Sequence, residues 1–359
     1  MLDCISKFSY TQYMFTLTNA SHETRAIFKW GLIVIIIIAL AFAIFRIGLI
    51  IKEMLYPTPP PAPTVLFGKL PAPVFPQNQT NEELTYKIET ISGNLPEIAS
   101  QTKVYTIALP KPDLLALDNA KQKVKAERFD NGPFKVSDIV YDWSTNGDLP
   151  KTIRLNIETF NFEVTSNFLQ DPDAISGRNV ADEKSAIEKA SDFLSSMGYS
   201  STDLDFETPL VNFFTVNSDG TFVKATSLSN TQIVQVNFFK KNIDELPVYN
   251  ENPTESNVNV LLAAGGEIVG ASFVNPEISQ EFSTYPLKTV EEAFDELKNK
   301  KAYIASYFGA GKNVSINDAF LAYYISKNEK TFVYPIIVFM GNDGFFAYVN
   351  AVRDEWIEN

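Results

Sequence analysis

Histidine and cysteine are almost missing from this chain: its 359 residues include one of each, His22 and Cys4, and both precede a long apolar run. The chain beyond that run contains neither. It therefore cannot build a disulfide, a zinc site from Cys or His, or a catalytic triad with histidine as base. A domain without cross-links must hold together by burying apolar surface, and a chain of this length has the material to do so. Positive charge is also in deficit. Beyond residue 52 there are 25 basic and 41 acidic residues, a net charge of −16. Such a domain is repelled by nucleic acid and by anionic headgroups. Plain solubility explains most of the acidic excess, and no nucleic acid is expected as a partner.

Several chemistries are missing as motifs. Gly309–Lys312 reads GAGK, without the earlier glycine or the following Ser or Thr of a phosphate-binding loop. It reads as a turn. Asp203, Asp205 and Glu207, or Asp171 and Asp173, could offer oxygens to calcium, but neither group has the spacing of a calcium loop. Solvated loop acids are the expected reading. Ser100 and Lys103 match the spacing of a Ser/Lys nucleophile. That spacing shares a face only on a helix, and Lys103 opens a strand-like run, KVYTIAL. A carboxylate pair of glycosidase type is always possible among so many acids, and only geometry can select one. No catalytic, cofactor-binding or metal-ligating residue is assigned, and no cofactor is expected.

What is present is a continuous apolar stretch, Trp30 to Ile51, broken only by Arg46. At ~1.5 Å per residue it reaches across a hydrocarbon core of roughly 30 Å. Gly31 to Phe45 shows no polar face, unlike a soluble core helix. The 29 residues before it and the bulky Leu49, Ile50 and Ile51 at its end do not fit a removed signal peptide. Residues 30–52 are read as a transmembrane helix, with the Arg46 charge snorkelling to the headgroups. Flanking charge does not orient it, because Arg25 and Lys29 on one side balance Lys52 and Lys69 on the other.

Around the span, residues 1–29 read as a tail on the cytoplasmic side. Residues 53–80 include YPTPPPAPTVLFGKLPAPVFP, a proline-rich stalk of extended character. Its apolar residues Val65, Leu66, Phe67, Leu70, Val74 and Phe75 suggest that the second half lies along the folded domain. Residues 81–175 read as an α+β unit with alternating strands and a helix opening near Pro112 and Asp113. Residues 176–288 open with the helix ADEKSAIEKASDFLSSMG, apolar at Ala186, Ala190, Phe193, Leu194 and Met197, and continue as strands with a hairpin at Gly265-Gly266. Residues 289–359 repeat the theme. Thr289 and Glu292 form a capping-box pattern, the helix extends over 290–304, and three strands follow, the last two turned by Asn342, Asp343 and Gly344. Tyr323, Tyr324, Phe332, Tyr334, Phe339, Phe345, Phe346 and Tyr348 crowd these strands. About half should face the core, and the rest face a partner unless the helix and neighbouring units cover them.

The last two units resemble PepSY-type domains, in the Ala-rich, Gly-terminated helix at 181–198 followed by VNFFKKNIDELPVY and NVNVLLAAGGEIVG. The C-terminal stretches TVEEAFDELKNKKAYI, AFLAYYISKNEKTFVYPIIVF and YVNAV are similar to the YycH/YycI-type regulators. The resemblance covers about residues 180–352 and leaves Phe67–Pro71 and residues 84–170 outside it. It implies helix-plus-antiparallel-sheet units on a single span, with the C-terminal domain outside the cell acting on a sensor kinase. The combined expectation is an α+β, membrane-anchored, non-catalytic binding or regulatory protein of the cell envelope. Its partners are the membrane through residues 30–52 and an envelope protein or peptide. A structural subunit of a surface assembly, or an envelope hydrolase using carboxylates or Ser/Lys, are the alternatives.

Overall fold

A helix that is apolar on every face has no polar side to turn to water, and the computed structural model has one such helix among the described residues. It describes residues 17–55, 61–78, 83–111, 113–199, 202–329 and 331–358. The chain divides into two units, Met1–Ala62 and Pro63–Asn359. In the first, α1 (Leu17–Leu55) contains Lys29–Lys52, 24 residues of mean hydropathy 3.0 with no part buried against protein. By length and composition this segment can cross a membrane. The tail expected over 1–29 is already helical from Leu17, since no Gly or Pro lies between Leu17 and Trp30 to stop the helix. Residues 1–16 of that tail lie outside the described residues.

The second unit begins with β1 (Thr85–Ile88), β2 (Gln101–Ile107) and α2 (Ala116–Lys125). An antiparallel meander follows: β3 (Asn131–Lys135), β4 (Val140–Ser144), β5 (Lys151–Asn156) and β6 (Phe162–Ser166). Helix α3 (Glu183–Ser196) leads to β7 (Leu210–Val216), β8 (Phe222–Lys224), β9 (Ile233–Asn237) and the two-residue β10 (Val248–Tyr249). Next come β11 (Val258–Leu262), β12 (Ile268–Phe273), β13 (Ile278–Pro286) and α4 (Val290–Lys298). The unit is completed by β14 (Tyr303–Ser306), β15 (Asn313–Tyr324), β16 (Phe332–Gly341) and β17 (Phe346–Asn350).

These strands assort into two large sheets. Nine run antiparallel in the order β3-β4-β5-β6-β12-β11-β9-β7-β8. Eight gather around β15-β16-β17, with β1 and β10 parallel to β15, β14 on β17, and β2 joining β16 to β13. Strands from 81–175 and from 176–288 therefore share the first sheet, joined by β6 and β12. Strands β1 and β2 pair instead with strands of the second.

Helices α3 and α4 start where the sequence caps them. Asp182 accepts a hydrogen bond from Ser185 N at 2.8 Å to start α3, and Gly198 (φ +77°) follows its end. Ala186, Ala190, Phe193 and Leu194 are buried against Val164, Val260 and Ala271 of the nine-stranded sheet. The Thr289/Glu292 capping box forms, and Val290, Ala293, Phe294 and Leu297 pack on the eight-stranded sheet. Helix α4 stops at Lys298 rather than 304, because Lys300 takes a left-handed φ of +62° and Tyr303–Ser306 joins β17 as an edge strand. Just before α4, buried Lys288 is neutralised by Glu296 and Asp354, each at 2.7 Å.

The proline-rich stretch is not a free spacer along its described length from residue 63. Val65 N donates to Thr284 O at 3.1 Å, and Tyr285 Oη donates to Gly68 O at 2.9 Å. Leu70 is fully buried and bridges to Ile357, through Leu70 N to Trp356 O and Glu358 N to Leu70 O, both 2.8 Å. Phe75 stacks on Tyr303 with centroids 5.5 Å apart and also meets Tyr324. Apolar Leu70 and Phe75 drive this strap onto the domain, while its prolines keep it extended.

The C-terminal aromatics are interior. Tyr323, Tyr324, Tyr334, Phe339, Phe345 and Tyr348 are all at most 1% exposed, and Phe332 and Phe346 are half-buried. One face of the sheet is covered by α4 and Leu70 of the strap, the other by Phe75 of the strap, Tyr249 and Phe320, so none of the aromatics singled out in these strands is an exposed ring. Tyr303 Oη donates to Glu251 O at 2.9 Å, whereas the buried Tyr348 hydroxyl has no hydrogen-bond partner among the described residues. Deleting an unsatisfied hydroxyl removes a desolvation penalty, while deleting a satisfied one loses a bond. Tyr348→Phe should leave the melting temperature unchanged or raise it, and Tyr303→Phe should cost about 1 kcal/mol; a loss with Tyr348→Phe would show that its hydroxyl is satisfied. Burial also pushes the Tyr86 and Tyr303 hydroxyls up to about 12, from 10.0. The fold favours the neutral phenol, so this stability is complete below pH 10 and is lost as pH rises towards about 12. The part of the tyrosinate absorbance that Tyr86→Phe and Tyr303→Phe remove should therefore appear together with a change in circular dichroism over that interval, and its appearance near pH 10 in an intact fold would contradict the packing.

Candidate functional site

In an antiparallel pair, directly opposed residues point to the same face. The register of the nine-stranded sheet thus builds a row across several strands: Asp142 opposite Arg154, Arg154 opposite Glu163, Glu163 opposite Ser272, and Ser272 opposite Asn259. The residues alternating with them, such as Trp143, Ile153, Val164 and Ala271, lie in the core beneath α3. The row is therefore on the face away from that helix, and it is polar throughout.

Part of this face is walled into a cleft of about 410 Å³, within the size range of ligand sites. Its floor includes Glu163, Ser272 and Asn259, with Gly270 and Leu261 in the next row. A Cβ at Gly270 would lie 3.1 Å from Leu261 Cδ1, so glycine keeps the floor low. One wall is the loop 250–257. Asn212 Nδ2 holds it through Thr254 O at 3.0 Å, and Asn259 Nδ2 holds it through Ser256 O at 2.7 Å. Glu251 ties this loop to the other sheet, accepting from Ser326 Oγ at 2.9 Å and from the backbone N of Lys327.

The charges of the cleft are unequally used. Glu251 is occupied by those bonds. Arg154, beside Glu163 in the row, is held by Asp142 through two bonds of 2.9 and 2.8 Å, which keep its guanidinium firmly charged. Glu163 makes no ion pair among the described residues, and neither does Glu255, which accepts from Asn252 Nδ2 at 3.1 Å. The Ser272 Oγ is shielded from solvent and has no hydrogen-bond partner among the described residues.

The residues weighed from the sequence lie elsewhere. Ser100 precedes β2 and donates nothing to Lys103, whose ammonium sits 3.1 Å from Asp244 and 4.6 Å from the Phe282 ring centroid. Asp203 pairs with Lys240, and Asp205 closes its own loop by accepting from the Glu207 and Thr208 backbone. The Thr208 hydroxyl first, and then these backbone donors, hold the Asp205 carboxyl below the usual range. Asp171 likewise closes its own loop by accepting from Asp173 N at 2.9 Å. The turn at 309–312 serves β1, with Thr85 N donating to Lys312 O at 2.7 Å. No group of three or more His, Cys, Asp or Glu residues suited to a metal ion occurs among the described residues. The cleft itself was not legible from the sequence, because it depends on pairing Glu163 with Ser272 and Arg154 with Asp142.

No family model matches the chain, and no curated protein matches it. Among solved structures, it is similar to an uncharacterized protein from Eubacterium rectale, with 13% identity and a TM-score of 0.34, over 77% of this chain and 92% of that one. It is also similar to the Bacillus megaterium YpeB C-terminal domain, with 15% identity and a TM-score of 0.33, over 68% of this chain and 95% of that one.

Proposed function

We propose that this chain is a single-span membrane protein whose α+β domain lies outside the cell and binds a protein or peptide partner, regulating an envelope process without catalysis. The observation that carries this reading is Lys29–Lys52: a helix of mean hydropathy 3.0, exposed along its whole length, in a chain whose remainder is strongly acidic. Lipid is the solvent such a helix calls for. The domain organisation from the sequence is kept as part of the proposal, with PepSY-like units over 176–288 and 289–359 and a membrane-proximal spacer that the strap shortens. The C-terminus-out orientation rests on the resemblance to the YycH/YycI-type regulators. A binding role is supported by the open polar cleft. The Ser/Lys hydrolase alternative gains nothing from Lys103, whose ammonium is engaged by Asp244 and Tyr105.

Thiol labelling tests the topology directly. In a Cys4→Ser background, Leu114→Cys places one thiol at a fully exposed site. Intact cells treated with a membrane-impermeant thiol reagent should label it. Labelling only after lysis would put the domain in the cytoplasm and overturn the envelope reading.

A further inference from the structure

We propose that the cleft on the open face of the nine-stranded sheet receives an extended, Lys- or Arg-bearing segment of a protein partner. The inference rests on reading the domain as a binding module and names the chemistry of what it binds.

Charge supplies the first argument. The lining carries the carboxylates of Glu163, Glu251 and Glu255 against the single ammonium of Lys327. Glu251 is engaged in holding the wall, and Arg154 is held by Asp142 rather than by Glu163. Glu163 feels the Arg154 charge without being ion-paired to it, and Glu255 makes no ion pair among the described residues, so the lining keeps an excess of negative charge. A cationic side chain entering from outside meets complementary potential here, and an anionic one is repelled.

Hydrogen bonding supplies the second. Around the floor formed by Glu163 and Asn259 the lining also carries Thr165, Ser166, Asn250 and Asn257. Amide and hydroxyl side chains around it can both donate and accept, as a peptide backbone requires. The one aromatic residue in the lining, Phe168, is 8% exposed and offers no open ring for a sugar to stack on. Geometry supplies the third: Glu163, Ser272 and Asn259 stand in line across three strands, which at ~4.8 Å spacing span roughly 10 Å. That length matches about three residues of extended chain.

The test uses the full-length chain in detergent micelles and a fluorescent tri-lysine peptide as probe, read by polarisation. Saturable binding at low salt should weaken as salt is raised, and Glu163→Gln should weaken it about fivefold. Glu255→Gln should act in the same direction. Glu188→Gln, exposed on α3 over the opposite face, should leave affinity unchanged; unaltered melting temperatures establish that all three variants fold. Absence of saturable binding would overturn the proposal. So would equal losses in Glu188→Gln and Glu163→Gln, which would mark the attraction as general to an acidic protein. Tighter binding of a tri-glutamate peptide or an N-acetylglucosamine trimer would also overturn it. Because the assay does not depend on membrane sidedness, it can fail while the labelling result stands, and the reverse.

Discussion

The eight-stranded sheet depends on β16 being covered on both faces. Ile337 and Phe339 point into the core beneath α4, and Ile336 and Val338 into the aromatic cluster on the other side. A strand buried on both faces has no solvated side to fall back on, so every element that covers it is obligatory. With no disulfide available to the domain, hydrophobic burial is the chief force holding these covers in place. The strap, Tyr249 of β10 and α4 come from different parts of the sequence and pack into the clusters that cover β16. The buried Lys288 triad, with Glu296 and Asp354, fixes α4 against the last turns of the chain and adds positional definition that apolar packing alone does not give.

Local patterns in the sequence translated well into local structure. The apolar stripes of α3 and α4, the Thr289/Glu292 box, and the turns at Gly265-Gly266 and Asn342–Gly344 are encoded within a few residues of one another, and all are present. Leu114 shows the limit of the same reasoning: a helix opening near Pro112 and Asp113 would include it, yet it precedes α2 and is fully exposed. Tyr303–Ser306 shows another, since a helix-like pattern continued past the residues that turn the chain.

What could not be read was everything that depends on distant pairing. Nothing near Glu163 indicates that Ser272 will stand beside it, and nothing in the proline-rich segment indicates that Leu70 will bridge to Ile357. The aromatics of the last strands could be assigned to core or surface only once the covering elements were known. The cleft belongs to the same class, because its floor comes from β6, β11 and β12 and its wall from the loop at 250–257. Alternation marks these positions as polar and outward, which is also how an ordinary solvated sheet face reads.

The strap has a consequence for the order in which the domain can be made. Leu70 is translated some 290 residues before its partners Trp356, Ile357 and Glu358, which at typical synthesis rates is on the order of 15–60 s. Until those residues arrive, a wholly buried leucine has no site to occupy. The nine-stranded sheet draws its strands from residues 131–273 and can settle earlier. The segment that follows the apolar helix in sequence is then the last part of the domain to close, so a nascent chain carries an apolar, extended segment after that helix for most of its synthesis.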